Sequence, residues 1–516
     1  MNLRALPGLL VLCVVGTVQS SRLEARADDS PPPALEAEAD AWMRKADGQT
    51  GAEAAASRAQ GAAAYFDLFQ KHCQAPLPKD DPQHAERCEK LADSAARAFQ
   101  SAHLVARAIQ ARSALVAVGA AAHRDSPRAR RAVYEIGEGF QTIAIYDKAA
   151  EYYERFAGVD TSHAAMDCKI ATKEENVDKA LASAVVLRLG LGQEAEATCA
   201  ANAFKAAFGG TKPAQAASLQ FSIAAHHADK GEWEKARAAL VDAMGMFDKS
   251  AAPDVQAQAH ATLARAYTRT KGGEKQASSE LAKVRSVWSN PRAALERINA
   301  SYPGEDEGQL LRRLARALTA VGEAYFAAAE ERKEREVDPL QFPAYAGRAT
   351  EDDIRAHMDT KVERWLQKKS SAIDEVTAEY NKVVDLRPEA PPRWVVASRS
   401  RVGLLWGSLV DEALAAPLPL SLRTDAKLRG IYYAALDDKI QRVKDRKARP
   451  AVVACLRDSV RLRHFDAHAR GCEAWLSKNY RAEYHAIDEL GPAPTVAGPG
   501  PDAKSPPLRF GAIPGP

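Results

Sequence analysis

The sequence predicts an all-α chain built from stacked helix pairs, and three observations predict it. Ala, Arg, Glu and Leu dominate long stretches, whereas strand-favouring runs of Val, Ile, Thr and aromatic residues are scarce. Small residues recur every three or four positions, the spacing at which one helix presents a face to another. Similar segments also return along the middle of the chain, and 516 residues exceed what one compact core usually holds. Hydrophobic residues make up 46% and charged residues 27%, as in ordinary globular chains. The 71 basic and 68 acidic side chains leave a formal net charge of +3, too little to draw in nucleic acid or an anionic membrane.

Residues 1–27 read as an export signal: Arg4 gives the positive start and Leu9 to Val18 a short apolar core. Ala25-Arg26-Ala27 then supplies the small-x-small pattern, with cleavage near Ser20 as an alternative. Cys13 follows Leu12 rather than a small residue, which argues against a lipid-anchored cysteine. No apolar stretch is long enough for a permanent membrane span. Residues 28–33 (DDSPPP, with the prolines at 31–33) read as an extended linker.

Export agrees with the cysteines. Beyond Cys13 six remain, in three sequence-local pairs: Cys73 with Cys88, Cys168 with Cys199, and Cys455 with Cys472. Each separation suits two neighbouring helices and the loop between them, so the pairs are disulfide candidates in an oxidising compartment. Buried free thiols are the competing reading.

Residues 34–125 read as Ala-rich helical hairpins, through EAEADAWMRKA, AEAAASRAQGAAAYFDLF and HAERCEKLADSAARAFQSAHLVARAI. Within 126–300 a repeat emerges. Each copy has a small residue, an aromatic or His three later, a turn, a second small residue and a larger apolar residue four after that. The places fall on Gly137, Phe140, Ala149 and Tyr153, then on Ala224, His227, Ala236 and Leu240. They fall again on Ala264, Tyr267, Ala277 and Leu281, with one extra residue in the turn. A degenerate copy puts Ala195 and Cys199 in the last two places.

This pattern, clearest in GEWEKARAAL (Gly231 to Leu240), resembles the tetratricopeptide repeat family, whose unit is two antiparallel helices. The anchor alanines at 149, 195, 236 and 277 are spaced more widely than the family's usual unit, and its early Trp and terminal Pro are missing. The resemblance implies an α-solenoid whose groove holds other proteins or extended peptides, with no enzymatic activity and no cofactor. It places Arg131, Glu135, Glu138, Gln141, Arg265 and Thr268 on the groove face; each could equally be an ordinary solvated side chain. It further implies a periplasmic, secreted or outer-membrane-associated scaffold in a bacterial envelope assembly such as outer-membrane, export or gliding-motility machinery.

Residues 301–487 lack the repeat and read as a C-terminal helical domain or cap. One long helix is expected from Gly308 to Val337 and another from Thr350, a capping residue, to Leu386. Residues 488–516 are rich in Pro and Gly and cannot build a core.

Chemistry-bearing motifs are sparse. There is no HExxH, Walker phosphate loop, dinucleotide glycine fingerprint or GxSxG. Cys455, His464, His468 and Cys472 have zinc-compatible side chains, but a disulfide would remove both thiolates, so no metal is expected. His226 and His227 point about 100° apart on one helix and read as packing residues. Asp352/Asp353 and Asp437/Asp438 read as solvated or capping carboxylates, and Trp394, Trp406 and Trp475 as core residues. The basic run Lys439 to Arg449 lacks stacking aromatics, which argues against nucleic acid. The alternative to a scaffold is a glycan-cleaving envelope enzyme with paired carboxylates in the C-terminal domain.

Overall fold

The protein is described here from a computed structural model covering residues 33–73, 82–121, 126–161, 167–172 and 174–485. The expected signal peptide, all but the last residue of the linker, and the C-terminal tail lie outside these residues. The chain forms two compact units, divided after Thr211. Both are helical. The described residues contain no strand beyond one isolated bridge between Asp160 and Asp167, and no described helix is long and apolar enough to cross a membrane.

The first unit holds α1 (Pro33–Asp47), α2 (Gly51–His72), α3 (Pro82–Ser101), α4 (Val105–Ala121), α5 (Pro127–Thr142), α6 (Tyr146–Ala157), α7 (Val177–Gly190) and α8 (Glu194–Phe208), each packed on the next. The second opens the same way, with α9 (Pro213–Asp229), α10 (Trp233–Ser250), α11 (Pro253–Tyr267) and α12 (Glu274–Val287). The cores are largely alanine: Ala92, Ala95, Ala96 and Ala108 in the first unit, and Ala217, Ala224, Ala257 and Ala261 in the second. Small side chains allow close helix approach, which is why alanine rather than leucine dominates. Within each unit these helices stack as TPR-like antiparallel pairs.

The turns inside the pairs show the repeat register more sharply than side-chain type does. His103, Ala144, Gly192, Gly231 and Gly272 all have φ between 60° and 78°. Each lies five residues before a buried alanine: Ala108, Ala149, Ala197, Ala236 and Ala277. In four of the five turns the next amide donates to the carbonyl five residues back: Leu104 to Phe99, Ile145 to Phe140, Gln193 to Arg188 and Glu232 to His227. That left-handed closure satisfies helix-end carbonyls and stops the first helix of the pair.

Two corrections to the sequence reading follow. The anchor of the α7–α8 pair is Ala197, fully buried, not Ala195, which is exposed. The tolerant surface position two residues earlier is also alanine, so composition could not separate them. The repeat also reaches back to α3–α4, where Ala96, Phe99 and Ala108 occupy the matching places, all buried. His103 at the turn hides that copy in the sequence, because a left-handed turn usually signals itself with glycine.

The remaining helices are α13 (Pro291–Ser301), α14 (Glu307–Glu336), α15 (Glu351–His357), α16 (Glu363–Val384), α17 (Pro392–Leu414), α18 (Leu420–Thr424), α19 (Ala426–Val443), α20 (Arg449–Leu462) and α21 (Ala467–Asn479). Asp306 and Gln309 close a reciprocal capping box at the start of α14. The Thr350 hydroxyl accepts from the Asp353 amide at the start of α15. The helix expected from Thr350 to Leu386 runs through α15 and α16, joined by a π-helical turn at Met358–Val362.

Helix α17 is the hub of this region, in contact with α14, α16, α19, α20 and α21. Its sequence RVGLLWG explains the closeness. A Cβ on Gly403 would lie 2.7 Å from Val452 Cγ2, and one on Gly407 would lie 2.5 Å from Trp475 Nε1. Trp406 and Trp475 are buried as expected. Trp394 is only partly buried and belongs to a groove.

Candidate functional site

In the first unit the expected groove residues become a polar network. Arg131 lies 3.3 Å from Asp93 and 3.4 Å from Glu135. The other oxygen of Glu135 accepts from buried Arg112 at 2.8 Å, and Arg112 also donates to Gln100. Gln141 accepts from the Tyr153 hydroxyl at 2.7 Å. Glu138 bonds Tyr134, and partial desolvation holds its carboxyl above the ordinary range against that bond. Burial pushes the Tyr134 hydroxyl up to about 12, helped by the same carboxylate. Arg131, Glu135 and Gln141 therefore tie α5 to α3, α4 and α6, while the Glu138 bond stays within α5. A shallow, mostly apolar hollow of about 500 Å³ lies elsewhere in this unit, between Lys169, Ile170, Ala203 and Phe208.

The second unit brings Arg265 and Thr268 into a groove of about 370 Å³. One wall is the C-terminal end of α11 with the first turns of α12, through Ala264, Ala277, Ser278 and Leu281. The other is α14, which contributes Glu323, Phe326, Ala327, Glu330, Glu331 and Glu334. Those six fall at i, i+3, i+4, i+7, i+8 and i+11, one continuous helical face. At 1.5 Å rise per residue the face runs roughly 16 Å, the length of about five extended residues.

Trp394 from α17 completes the apolar part, with its ring centroid 5.1 Å from that of Phe326. Gly322 makes this possible, because a Cβ there would lie 2.9 Å from Trp394 Cδ1 and 2.6 Å from Pro391 Cγ. The indole nitrogen of Trp394 is buried and has no hydrogen-bond acceptor among the described residues.

Charge is unequal along the groove. Near Glu323 stand Arg265 at 3.3 Å, Arg269 and Arg393. Burial pushes the Glu323 carboxyl up, and these three arginines pull it in the opposite direction. Glu330 accepts from Arg401 at 2.5 Å and from the Tyr380 hydroxyl. Farther along, exposed Glu331 and Glu334 have no ion-pair partner among the described residues. Arg265 and Thr268, which the repeat singles out in the sequence, line the same groove as α14 and Trp394, which the repeat does not cover. The signal the sequence carries for that face is the i, i+3, i+4 spacing of Phe326 and the glutamates.

Other candidates resolve into structure. Bonds join Cys73 to Cys88, Cys168 to Cys199 and Cys455 to Cys472, with Cα separations of 5.6, 5.0 and 6.5 Å. The last bond removes both thiolates from the zinc-compatible cluster. His227 Nδ1 lies 2.8 Å from Glu232, across the turn it helps to close. In the basic run, Lys439, Lys447 and Arg449 pair with Glu363, Asp374 and Glu483.

No family model matches the chain, and no curated protein does. Solved structures that align with it include the apo form of RapI, at 10% identity over 80% of this chain and 99% of that one, with a TM-score of 0.30. A Rap protein complexed with competence and sporulation factor aligns at 11% identity over 87% and 99%, TM-score 0.25. A Podosopora anserina protein with nearly identical TPR-like repeats aligns at 13% identity over 41% and 93%, TM-score 0.25.

Proposed function

We propose that this protein is an exported scaffold that holds an extended segment of another protein in the groove between α11–α12 and α14–α17. The observation that carries the reading is the continuous face of α14, with apolar Phe326, Ala327 and Trp394 flanked by carboxylates and left uncovered by the chain's own described residues. A linear apolar floor with polar edges suits a peptide, whose alternate side chains can enter it while the backbone stays hydrated.

Placement outside a reducing compartment, in an envelope assembly, is part of the proposal. Three cysteine pairs at bonding distance support it, because such bonds persist where thiols are not kept reduced. The test is selection of heptapeptides against the full chain from a random display library, followed by titration against a Ser278→Trp variant that fills the groove. Selected peptides should bind at least tenfold more weakly to the variant while its melting temperature is unchanged. Peptides indifferent to Ser278→Trp would count against the groove.

A further inference from the structure

We infer that the groove selects a basic partner: an extended segment with one apolar residue and, two to four residues further on, a Lys or Arg. The inference rests on the groove being a peptide site and adds the partner's chemical class and spacing. Phe326 and Trp394 form the only paired aromatic floor among the groove residues, their rings 5.1 Å apart. That floor takes one apolar side chain. Toward the C-terminal end of α14 the next groove residues are Glu330, Glu331 and Glu334.

Glu330 is already committed to Arg401 and Tyr380. Glu331 and Glu334 are exposed and have no ion-pair partner among the described residues, although the cations around them on the same helix are engaged. Arg332 bonds Glu336, Glu375 and Glu379, Lys333 bonds Asp338, and Arg335 bonds Glu336. The chain thus neutralises its own cations on other partners and leaves two carboxylates facing the groove. From Phe326 to Glu331 and Glu334 the helix rises roughly 8 to 12 Å, which an extended chain covers in about two to four residues. At the other end Arg265, Arg269 and Arg393 surround Glu323, so a cation is disfavoured there and the peptide's direction is set.

The test uses the full chain with its disulfides intact and fluorescein-labelled nonapeptides of glycine and serine carrying Leu and Lys three residues apart. Control peptides replace Lys by Glu, Lys by Gln, or Leu by Gly. Anisotropy titration should show the Leu/Lys peptide binding at least tenfold more tightly than Leu/Glu. The preference should shrink about fivefold in a Glu331→Gln/Glu334→Gln variant, as expected for two exposed ion pairs, and should weaken with added salt. If Leu/Lys, Leu/Gln and Leu/Glu bind alike, the charge inference falls and the groove reading stands. If no peptide binds at millimolar concentration, both fall. Unchanged preference in the double variant would overturn the assignment to Glu331 and Glu334.

Discussion

A methyl group added to Gly137 would lie 2.9 Å from the ring of Tyr153, closer than a real Cβ contact allows. The two residues belong to α5 and α6, and Ala149 stands beside them fully buried. The pair is the seam of one repeat, where the absent side chain on one helix makes room for the large one on its partner. Gly137→Ala should therefore destabilise the protein by about 1–3 kcal/mol, as overpacking does. The control is Gly245→Ala on α10, where an added Cβ meets nothing within 4 Å. Removing a mid-helix glycine there should stabilise by about 0.5–1 kcal/mol. Urea unfolding followed by circular dichroism distinguishes the two.

Ala144 holds the left-handed turn between α5 and α6 at φ 60°, where the equivalent turns of three later pairs use glycine. Its side chain is exposed, so only the backbone preference is at stake. Ala144→Gly should stabilise by about 1 kcal/mol and Gly231→Ala should destabilise by a similar amount. Opposite signs in thermal or urea unfolding are expected.

Arg188 takes the aromatic place of the α7–α8 pair and lies against Glu154 of α6, with nitrogen–oxygen distances of 2.9 and 2.5 Å. Gln193 and Thr161 satisfy the remaining polar atoms at 2.7 Å. Replacing Arg188 by Ala leaves a buried carboxylate unpaired and should cost about 3–5 kcal/mol. Arg188→Met with Glu154→Leu should cost far less than the two single changes together, which a double-mutant cycle by chemical denaturation measures.

Buried His260 of α11 has Glu280 of α12 at 2.5 Å from one ring nitrogen and Asp248 of α10 at 2.9 Å from the other. Burial raises the Glu280 carboxyl, but bonds from His260 and Lys283 outweigh it, leaving the group below its ordinary 4.5. A depressed carboxylate stabilises the fold above its unfolded value and loses that contribution as pH falls through its folded one. The stability gap between the wild-type protein and Glu280→Gln should therefore be full at pH 6 and narrow as pH drops below 4.5. Urea titrations across that window check the sign.

Reduction is the remaining structural test. Cys73 and Cys88 close a loop of 15 residues between α2 and α3, and Cys73→Ala/Cys88→Ala should lose about 3 kcal/mol in chain-entropy terms. Urea unfolding of the wild-type protein and the variant should differ by that amount without reductant and converge once reductant opens the bonds in both.

Helix pairing was legible in the sequence because alanine at 149, 236 and 277 is both the residue type and the spacing that close packing requires. What escaped notice did so for physical reasons. The α3–α4 copy carries His103 where a glycine would have announced the turn, and the α7–α8 copy carries Arg188 where an aromatic residue was expected. Ala195 and Ala197 differ only in which side of α8 they face, and that depends on where the helix begins. The groove residues of α14 look like a charged surface helix until α17 arrives from some seventy residues later to place Trp394 on Phe326. Gly322 permits that meeting, and its purpose cannot be read without knowing its neighbour.

The most direct test of the groove is covalent. A photo-reactive benzoylphenylalanine at position 268, on the groove wall, is compared with one at position 292 on α13, where the arginine side chain is 90% exposed. Irradiation with the Leu/Lys nonapeptide should give an adduct from 268 and none from 292, and Ser278→Trp should abolish it. Equal labelling from both positions, or an adduct that survives the groove-filling substitution, would contradict the account.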